Sequence, residues 1–475
     1  MAIEMTLDCR HMGKTALALL LPFMLSSCML GPDYQRPDVP APAVFRGEEG
    51  KAQAESIADA NWATVANDPV LQELISTAIA NNLDLRIAVA RVTEARARYG
   101  IVRSFQFPEV GVTGGYSSQQ DSQLADPSDA RGSNSSYSNW DAGIQVSWEL
   151  DLFGRIRRES EAAFAAYLAT EQGQRAVLVA LVGDVASNYL LMRQLDLQLE
   201  IARRTVVTNE ETVRFYQNRL EGGLSNRLEL DTAIANLART ANLVPQFERR
   251  IAVTENALSL LLGRPPGPVE RGETLTERQL PAAIPVGLPA ELLERRPDVQ
   301  AAEQQLVAAN ARVGAAKALF FPRISLTGLY GSVSGDFADL MNNDAEVWSV
   351  NPGLFAPVFQ GGRITRNYEA AMAVYDQAFA QYQQSALNGY REVANALVAL
   401  RTYGEARVIL QTGVDALEDA ATLSRRRYEA GLANYLEILN ADQELFDQRI
   451  QLAQTQGEEL RAFVELYRAL GGGWQ

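Results

Sequence analysis

Residues able to perform chemistry are scarce in this chain. The 475-residue sequence contains one histidine, His11, and two cysteines, Cys9 and Cys28. Past Cys28 the sequence has neither imidazole nor thiol, which excludes disulfides, zinc sites with His or Cys ligands, Cys nucleophiles and Ser-His-Asp triads there. Paired carboxylates, as in a glycosidase, are the enzymatic alternative that stays open. We predict no catalytic residue, no metal site and no enzyme activity.

Charge and composition limit the class of partner. The formal net charge of −15 argues against nucleic acid, because nucleic-acid binding needs clustered Lys and Arg. A hydrophobic content of 47% is enough to build a core, and 475 residues could hold two or three ordinary domains. Composition says little more about the fold.

Cys28 suggests a different chemistry, the attachment of lipid. Two basic residues precede an apolar run at residues 16–25, too short to span a membrane, and LSSC follows, ending at Cys28. This pattern resembles a bacterial lipobox, in which the cysteine becomes the lipidated N-terminus. The alternative is a small apolar cysteine buried in a core. Met29 stands where the inner-membrane retention signal has Asp, which implies the outer membrane.

The elements that must position any site come in two copies. The turn EGGLSN at residues 221–226 returns as EAGLAN at residues 429–434. The segment 82–116 lines up without a gap with the segment 296–330. So many matches in constant register indicate an internal duplication.

The duplication divides the chain into five parts. Residues 1–27 form a lipoprotein-type signal peptide, and residues 28–66 form a lipid-anchored, proline-rich extended strap. The first repeat covers residues 67–263, and the second repeat with the C-terminus covers residues 295–475. A proline-rich equatorial linker at residues 264–294 joins the two, and we expect it to wrap the outside of the helical body.

Each copy has the order helix, strand, strand, long helix, turn, helix. The strands are predicted from alternating apolar residues, with Pro352 interrupting the last of them. Such alternation suits a membrane barrel with lipid outside and water inside, although a soluble sandwich would show it too. Four strands are too few to close a membrane barrel, so a barrel would need several chains.

The helices are long and periodic. Residues 154–220 and 362–428 are free of proline, and at ~1.5 Å per residue each would span roughly 100 Å. The next helix of copy one repeats apolar residues every seven positions, which predicts coiled-coil packing, and Pro245 should kink it. The apolar stretch 176–192 contains Asp184 and is predicted to be a buried helix face, not a membrane span. The alternative is an ordinary long soluble bundle.

Together these features resemble the TolC-like outer-membrane efflux proteins, in particular their lipoprotein branch. The resemblance rests on GPDY soon after Cys28, on the FP that opens each copy's first strand, on ELDLFGR at 149–155, on FQGGR at 359–363 and on the paired Gly-Leu turns. Each motif alone is weak, but their order and spacing are specific. Members of the family are the outer-membrane components of tripartite RND-type multidrug efflux systems.

The resemblance implies a mainly α fold with a membrane β-barrel portion. A homotrimer would form one 12-stranded barrel in the outer membrane and a long α-helical coiled-coil barrel in the periplasm. It would be a passive, gated exit channel for drugs or other small toxic compounds. A periplasmic adaptor would connect it to an inner-membrane transporter, usually proton-driven. The protein would be lipid-anchored in the outer membrane of a Gram-negative bacterium, with no cofactor besides the lipid on Cys28.

Two other functions stay open, a non-conducting periplasm-spanning coiled-coil lipoprotein and an export duct for metal ions or peptides. The sequence does not identify the substrate, the adaptor or the pump. It also leaves open whether the gate rests open or closed, and whether translation starts at Met1 or Met12.

The resemblance also implies a gate at the periplasmic end of copy two. The matching positions are Tyr428, Leu436, Glu437 and Asn440, where Asn440 departs from the Asp that members often have. Three Glu437 carboxylates around a threefold axis would repel one another and attract cations. The alternative for Glu437 is a solvated residue near a helix N-terminus, where a carboxylate suits the helix dipole.

The repeated turns are predicted to be hairpin tips that dock the adaptor. Gly222, Gly223 and Gly431 would let the backbone reverse tightly between two helices. Leu224 and Leu432 would be apolar knobs for an adaptor's own helical hairpin. Alternatively, each Gly-Leu pair is a helix C-cap with its hydrophobic contact.

Overall fold

The computed structural model describes residues 29–47, 56–59, 68–120, 136–277 and 285–472, most of which are helical. The predicted signal peptide and Cys28 lie outside the described residues. The described residues fall into two compact units. The first comprises the described parts of Met1–Pro37, Thr93–Ala169 and Glu303–Gln381, and the second those of Asp38–Val92, Thr170–Ala302 and Tyr382–Gln475.

Helices and strands follow one another in the predicted order. In the first half of the chain they are α1 Pro69–Asn81, α2 Leu83–Ser104, β1 Glu109–Gln120, β2 Ser136–Leu150, α3 Arg155–Glu221, α4 Arg227–Ala241 and α5 Leu243–Leu261. In the second half they are α6 Leu292–Arg295, α7 Pro297–Ala318, β3 Arg323–Ser334, β4 Glu346–Phe355, α8 Arg363–Glu429 and α9 Tyr435–Ala469. Helices α3 and α8 each have 67 residues, and α2 and α7 each have 22.

The strands of the first unit form one antiparallel sheet in the order β1-β2-β3-β4. Its register places apolar residues side by side, with Val112 opposite Ile144, Ile144 opposite Tyr330 and Tyr330 opposite Trp348. Because side chains alternate along a strand, these four share one face and Thr113 lies on the other. The apolar face is open in the single chain, since Val112 is 84% exposed and Trp348 is 71% exposed.

The interruption expected at Pro352 is not found. Strand β4 runs through this residue, which lies opposite Leu326 of β3. Within this sheet β4 is an edge strand, and an edge tolerates proline because its missing N–H need not join a ladder. The fourth strand predicted from the sequence is therefore present, and Pro352 does not divide it.

The second unit has an apolar core built around the middle of α3. Val185, Tyr189 and Met192 of this helix have no exposed surface and pack with Leu71 and Leu258. By length and composition α3 is the one described helix that could cross a membrane, yet half of its apolar window is buried inside the fold. The buried helix face predicted from the sequence is thus confirmed.

Pro245 breaks the coiled-coil helix of copy one, as predicted. The helix divides into α4, which ends at Ala241, and α5, which begins at Leu243. Proline has no N–H to donate to the carbonyl four residues earlier, which is that of Ala241. Asn242 between them keeps a helical backbone, and its N–H donates to the Ala238 carbonyl at 3.1 Å.

In the first unit the strap is held by two buried charged residues. Arg158, whose side chain is 2% exposed, donates from Nε to the Leu30 carbonyl at 3.2 Å and pairs with Asp33 at 2.8 Å. Glu303 accepts from Arg36, with 2.6 Å between Oε2 and Nη2. Since a buried charge without its partner is strongly unfavourable, these contacts fasten the strap.

In the second unit the linker lies against α3 and α5. Gly272 N–H donates to the Tyr189 hydroxyl of α3 at 2.9 Å. Arg271 forms ion pairs with Asp196 of α3 and Glu255 of α5. The segment is therefore fastened to the helical core by backbone and side-chain contacts.

Candidate functional site

The first tip follows directly from the end of α3. The Leu224 N–H donates to the Arg219 carbonyl at 2.8 Å, and the Gly223 N–H donates to the Leu220 carbonyl at 3.0 Å. Gly223 has a φ of 70°, which is the left-handed conformation that favours glycine. This pair of bonds is the Schellman motif, which satisfies the last carbonyls of a helix.

The second tip has the same geometry. The Leu432 N–H donates to the Arg427 carbonyl at 2.8 Å, and the Gly431 N–H donates to the Tyr428 carbonyl at 2.9 Å. Gly431 has a φ of 75°. In both tips the arginine side chain closes the loop further, because its Nη2 donates to the carbonyl of the tip leucine, at 3.1 Å from Arg219 and 3.4 Å from Arg427.

Gly222 does not share the left-handed backbone of Gly223 and Gly431. It lies outside the set of glycines with positive φ, and a Cβ added to it would meet the Asn218 carbonyl oxygen at 3.5 Å, an ordinary contact. Of the three tip glycines expected to allow a left-handed or strained backbone, Gly223 and Gly431 are therefore left-handed and Gly222 is not. Ala430, at the matching place of the second tip, fits the same conclusion.

Each tip passes into a helix that is capped by an asparagine. Asn226 Oδ1 accepts from the Glu229 N–H at 3.0 Å, and Asn434 Oδ1 accepts from the Glu437 N–H at 3.2 Å. Asparagine is among the preferred N-cap residues, and a carboxylate in the first turn suits the helix dipole. Local sequence thus dictates both ends of both turns.

Four exposed leucines surround the two tips. Two of them, Leu224 and Leu432, follow the left-handed glycines and are 70% and 71% exposed. Leu228 and Leu436, one turn further on, are 74% and 54% exposed. Of these, Leu228 was not singled out from the sequence, although its match to Leu436 in the repeat was a usable signal. The cap interpretation and the docking interpretation of the Gly-Leu pair are compatible, because the leucine side chains stay outside the cap.

Glu437 is paired within its own hairpin. Its Oε2 lies 3.5 Å from Nε of Arg427, and both side chains are about half exposed. Its counterpart Glu229 instead accepts a hydrogen bond from the Ser225 hydroxyl. Leu436 and Asn440 are exposed on the same helix as Glu437. The structure thus places three of the four predicted gate residues on the first two turns of α9.

Tyr428 lies on the other side of the tip, among aromatic residues of both copies. Its ring centroid is 6.4 Å from that of Tyr216 and 5.8 Å from the Arg219 guanidinium. Tyr435 completes the cluster, with its ring 4.3 Å from that of Tyr216. Tyr216, Tyr435 and Arg219 were not singled out from the sequence, since nothing local links α3 with the start of α9.

Two phenols of this cluster, those of Tyr216 and Tyr435, have raised pKa values. Burial raises the pKa of Tyr216, and a hydrogen bond with Tyr428 adds to the rise. Burial also raises the pKa of Tyr435 to about 12, with nearby Asp442 and Tyr428 contributing. Three tyrosine rings and one guanidinium therefore join the two hairpins near their tips, and burial keeps the hydroxyls of Tyr216 and Tyr435 neutral.

Three features together are typical of the class of outer-membrane efflux channels. They are the sheet with one apolar face, the two long helical hairpins and the matched tips of these hairpins. The chain matches the family model described as "Outer membrane efflux protein" twice, over residues 74–264 and 288–472. It belongs to this family.

Individual relatives cover nearly the whole chain. It is 38% identical over 459 residues to the toluene efflux pump outer membrane protein TtgI of Pseudomonas putida, covering 95% of this chain and 96% of TtgI. It is 35% identical over 463 residues to the cation efflux system protein CusC of Escherichia coli, covering 96% of this chain and 99% of CusC. The solved structure of the outer-membrane channel OprN is 33% identical, with a TM-score of 0.87, covering 94% of this chain and 100% of that chain.

The family, the efflux role and the location predicted from the sequence are confirmed. The protein is an outer-membrane efflux protein of a Gram-negative bacterium, and its helical body is periplasmic as in the related structures. One named relative belongs to a toluene pump and another to a cation system. Similarity therefore does not identify the compound that this protein exports.

Proposed function

We propose that this protein is the passive, gated exit channel of a tripartite efflux pump and that it works as a homotrimer. The observation that carries the proposal is the open four-stranded sheet. Its outer strands, β1 and β4, each have one neighbouring strand among the described residues. A closed sheet surrounded by lipid would both pair the backbone groups of these two edge strands and cover the exposed apolar face.

Three copies of the chain would give each edge strand a hydrogen-bonding partner. Pairing β4 of one chain with β1 of the next would close a barrel of 12 strands, which lies in the range of known outer-membrane barrels. The face with Val112, Ile144 and Trp348 would then meet lipid, and the face with Thr113 would line a water-filled interior.

The proposed gate is the second tip, with Tyr428, Leu436, Glu437 and Asn440. In a trimer the three Glu437 carboxylates would approach one another, and the Arg427 partner of each would reduce their repulsion. A half-exposed ion pair contributes only ~0–1 kcal/mol, so it can break when the tip moves. The contact of Tyr428 with Arg219 and Tyr216 would hold the second hairpin against the first in the closed state.

The partners proposed are a periplasmic adaptor and an inner-membrane transporter of the proton-driven class. Leu224, Leu228 and Leu432 form an apolar rim at the tips, where an adaptor's helical hairpin would dock. The cargo would be drugs or other small toxic compounds. Lipid on Cys28 would add an anchor, which the strap fixes to the first unit through the contact of Leu30, two residues further along, with Arg158.

Conductance in planar lipid bilayers tests this function. Purified wild-type protein should show small, rare openings. The double variant Arg427→Gln with Tyr428→Phe should open more often and more widely, because the Glu437 carboxylates lose the cation that reduces their repulsion and the latch hydroxyl is gone. Glu229→Ala is the matched control, since its carboxylate is held by Ser225 and should not affect the gate. Silence from wild type and double variant, both folded by circular dichroism, would rule out a channel and favour a structural lipoprotein.

A further inference from the structure

Four polar side chains form a layer across the coiled coil of the second unit. Asn209 belongs to α3, Asn236 and Thr240 to α4, and Gln443 to α9. The first three are 6%, 9% and 1% exposed, and Gln443 is half-buried. Buried amides and hydroxyls are unfavourable unless they are hydrogen-bonded, so this polar layer needs an explanation.

The members of the polar layer satisfy one another. Gln443 Nε2 donates to Asn236 Oδ1 at 3.1 Å, and Asn236 Nδ2 donates to Asn209 Oδ1 at 3.2 Å. Asn209 Nδ2 donates to Thr240 Oγ1 at 3.1 Å, and that hydroxyl donates to the Asn236 carbonyl at 3.1 Å. The hairpin of α3 and α4 thus holds a closed polar ring, and Gln443 ties α9 to it.

The polar layer lies between two apolar layers along the coiled coil. On the tip side are Tyr216 of α3, Ala233 of α4 and Leu439 of α9. On the other side are Ala202 of α3, Phe247 of α5 and Phe446 of α9. Asn209 stands seven residues after Ala202 and seven before Tyr216, so it occupies a seam position of the coiled coil.

We infer that this polar layer fixes the axial register of α9 against the α3–α4 hairpin and thereby sets the height of the gate residues. A seam with a seven-residue repeat can slip by one repeat, about 10 Å, and again place apolar residues against apolar ones. Such a slip would remove Gln443 from Asn236 and leave a buried amide oxygen without its donor. A single buried polar position is a known device for fixing register in coiled coils.

The contacts of α9 with α8 include no comparable buried polar layer at the height of Asn209 among the described residues. In the repeat, the position matching Asn209 is Leu417. It packs against an apolar seam that includes Val414 and Leu445. The pairs Arg425–Asp442 and Arg449–Glu418 also join α8 with α9, but their arginines are more than two-fifths exposed. Leu436, Glu437 and Asn440 all precede Gln443 by seven residues or fewer, so its contact determines where they stand.

Distance measurements between spin labels test the inference in the detergent-solubilised full chain. Labels on cysteines introduced at Ala235 of α4 and Glu444 of α9, both exposed, report the register of the two helices. Singly labelled samples correct for the native cysteines. The parent should give one narrow distance. The variant Asn209→Leu, Asn236→Leu, Thr240→Val, Gln443→Leu should give a second population that corresponds to a shift of about 10 Å.

Gln454→Leu, at an exposed position of α9, is the matched control and should reproduce the parent distance. A single narrow distance in the four-residue variant would overturn the inference and assign the register to the α8 contacts. If that variant fails to fold, Gln443→Ala should broaden the same distance, because it cuts the link of α9 to the polar layer. An unbroadened distance in Gln443→Ala would overturn the inference equally.

The inference that the polar layer sets the height of the gate rests on the proposed channel function. The two experiments distinguish a failure of this inference from a failure of the channel function. A shifted distance in a variant that conducts like wild type would show that the polar layer fixes register without setting the gate. A wild type that never conducts would count against the channel alone, since the distances do not depend on conduction.

Discussion

At the residue scale, the tips show how little chain is needed to reverse two long helices. Gly223 and Gly431 take the left-handed conformation, and the bonds of the next leucine close each turn. A Cβ at either glycine would have open space around it, so the backbone conformation and not crowding selects glycine. Gly222, one residue earlier, carries no such requirement.

Alanine substitutions at these glycines should therefore differ. Gly431→Ala forces a residue with a Cβ into the left-handed region, at a cost of ~1–2 kcal/mol. Hydrogen exchange of the Leu432 amide, which closes the turn, should become about tenfold faster, corresponding to ~1.4 kcal/mol. Gly222→Ala is the control, and the Leu224 amide should exchange as in wild type or more slowly. Equal acceleration in both variants would contradict the assigned role of the positive φ.

Asp442 gives a prediction of pH dependence. It pairs with Arg425 at 2.7 Å, yet burial outweighs this partner and raises the pKa of the Asp442 carboxyl. A raised folded pKa means that protonation favours the fold, so this group's contribution is present at acidic pH and lost as pH rises through the folded pKa. Asp442→Asn should therefore raise the unfolding temperature at pH 7, and the difference should shrink as pH falls through the acidic range.

The control for Asp442 is on the same helix. Asp447 is 65% exposed, and its ion pair with Arg239 is long, at 3.9 Å. Asp447→Asn should therefore leave the unfolding temperature nearly unchanged at both pH values. If Asp442→Asn lowered the unfolding temperature at pH 7, the pair with Arg425 would outweigh burial, and the argument would fail.

At the element scale, local patterns predicted the elements well and their contacts poorly. The alternation of apolar residues predicted the strands, and the absence of proline predicted the long helices α3 and α8. Pro245 predicted the break before α5. The contact of Arg219 with Tyr428 joins residues more than 200 positions apart, and no local periodicity contains it. The fourth strand had the weakest pattern because an edge position, which tolerates Pro352, is a property of the sheet and not of the strand.

The two faces of the sheet should respond oppositely to charge. Val112→Arg places a guanidinium on the apolar face, where near the membrane midplane it would cost ~2–4 kcal/mol. The variant should be depleted from the outer-membrane fraction. Thr113→Arg, the next residue on the same strand, points to the other face and should insert as wild type does. Depletion of both variants alike would show that the face assignment is wrong.

At the scale of the whole molecule, the duplication made the architecture predictable, since one unit recognised twice is easier to identify than either copy alone. The family model matches each copy separately. The candidate site was less predictable. Positions at the tips followed from the repeat, whereas the aromatic cluster around Tyr216 and the polar layer around Asn236 depend on how three helices meet.

The sheet edges make a final prediction about assembly. Four strands cannot enclose a lumen, and β1 and β4 both need partners that the described chain does not provide. Native mass spectrometry of the detergent-extracted protein should therefore show three copies of the mature chain. Replacing Val350 of β4 with Pro would remove a second backbone donor from the side of the strand where Pro352 already lacks one, and should reduce the trimer fraction, while Val350→Thr, which keeps the donor, should not. A stable monomer or dimer that still inserts into the outer membrane would exclude closure by three sheets.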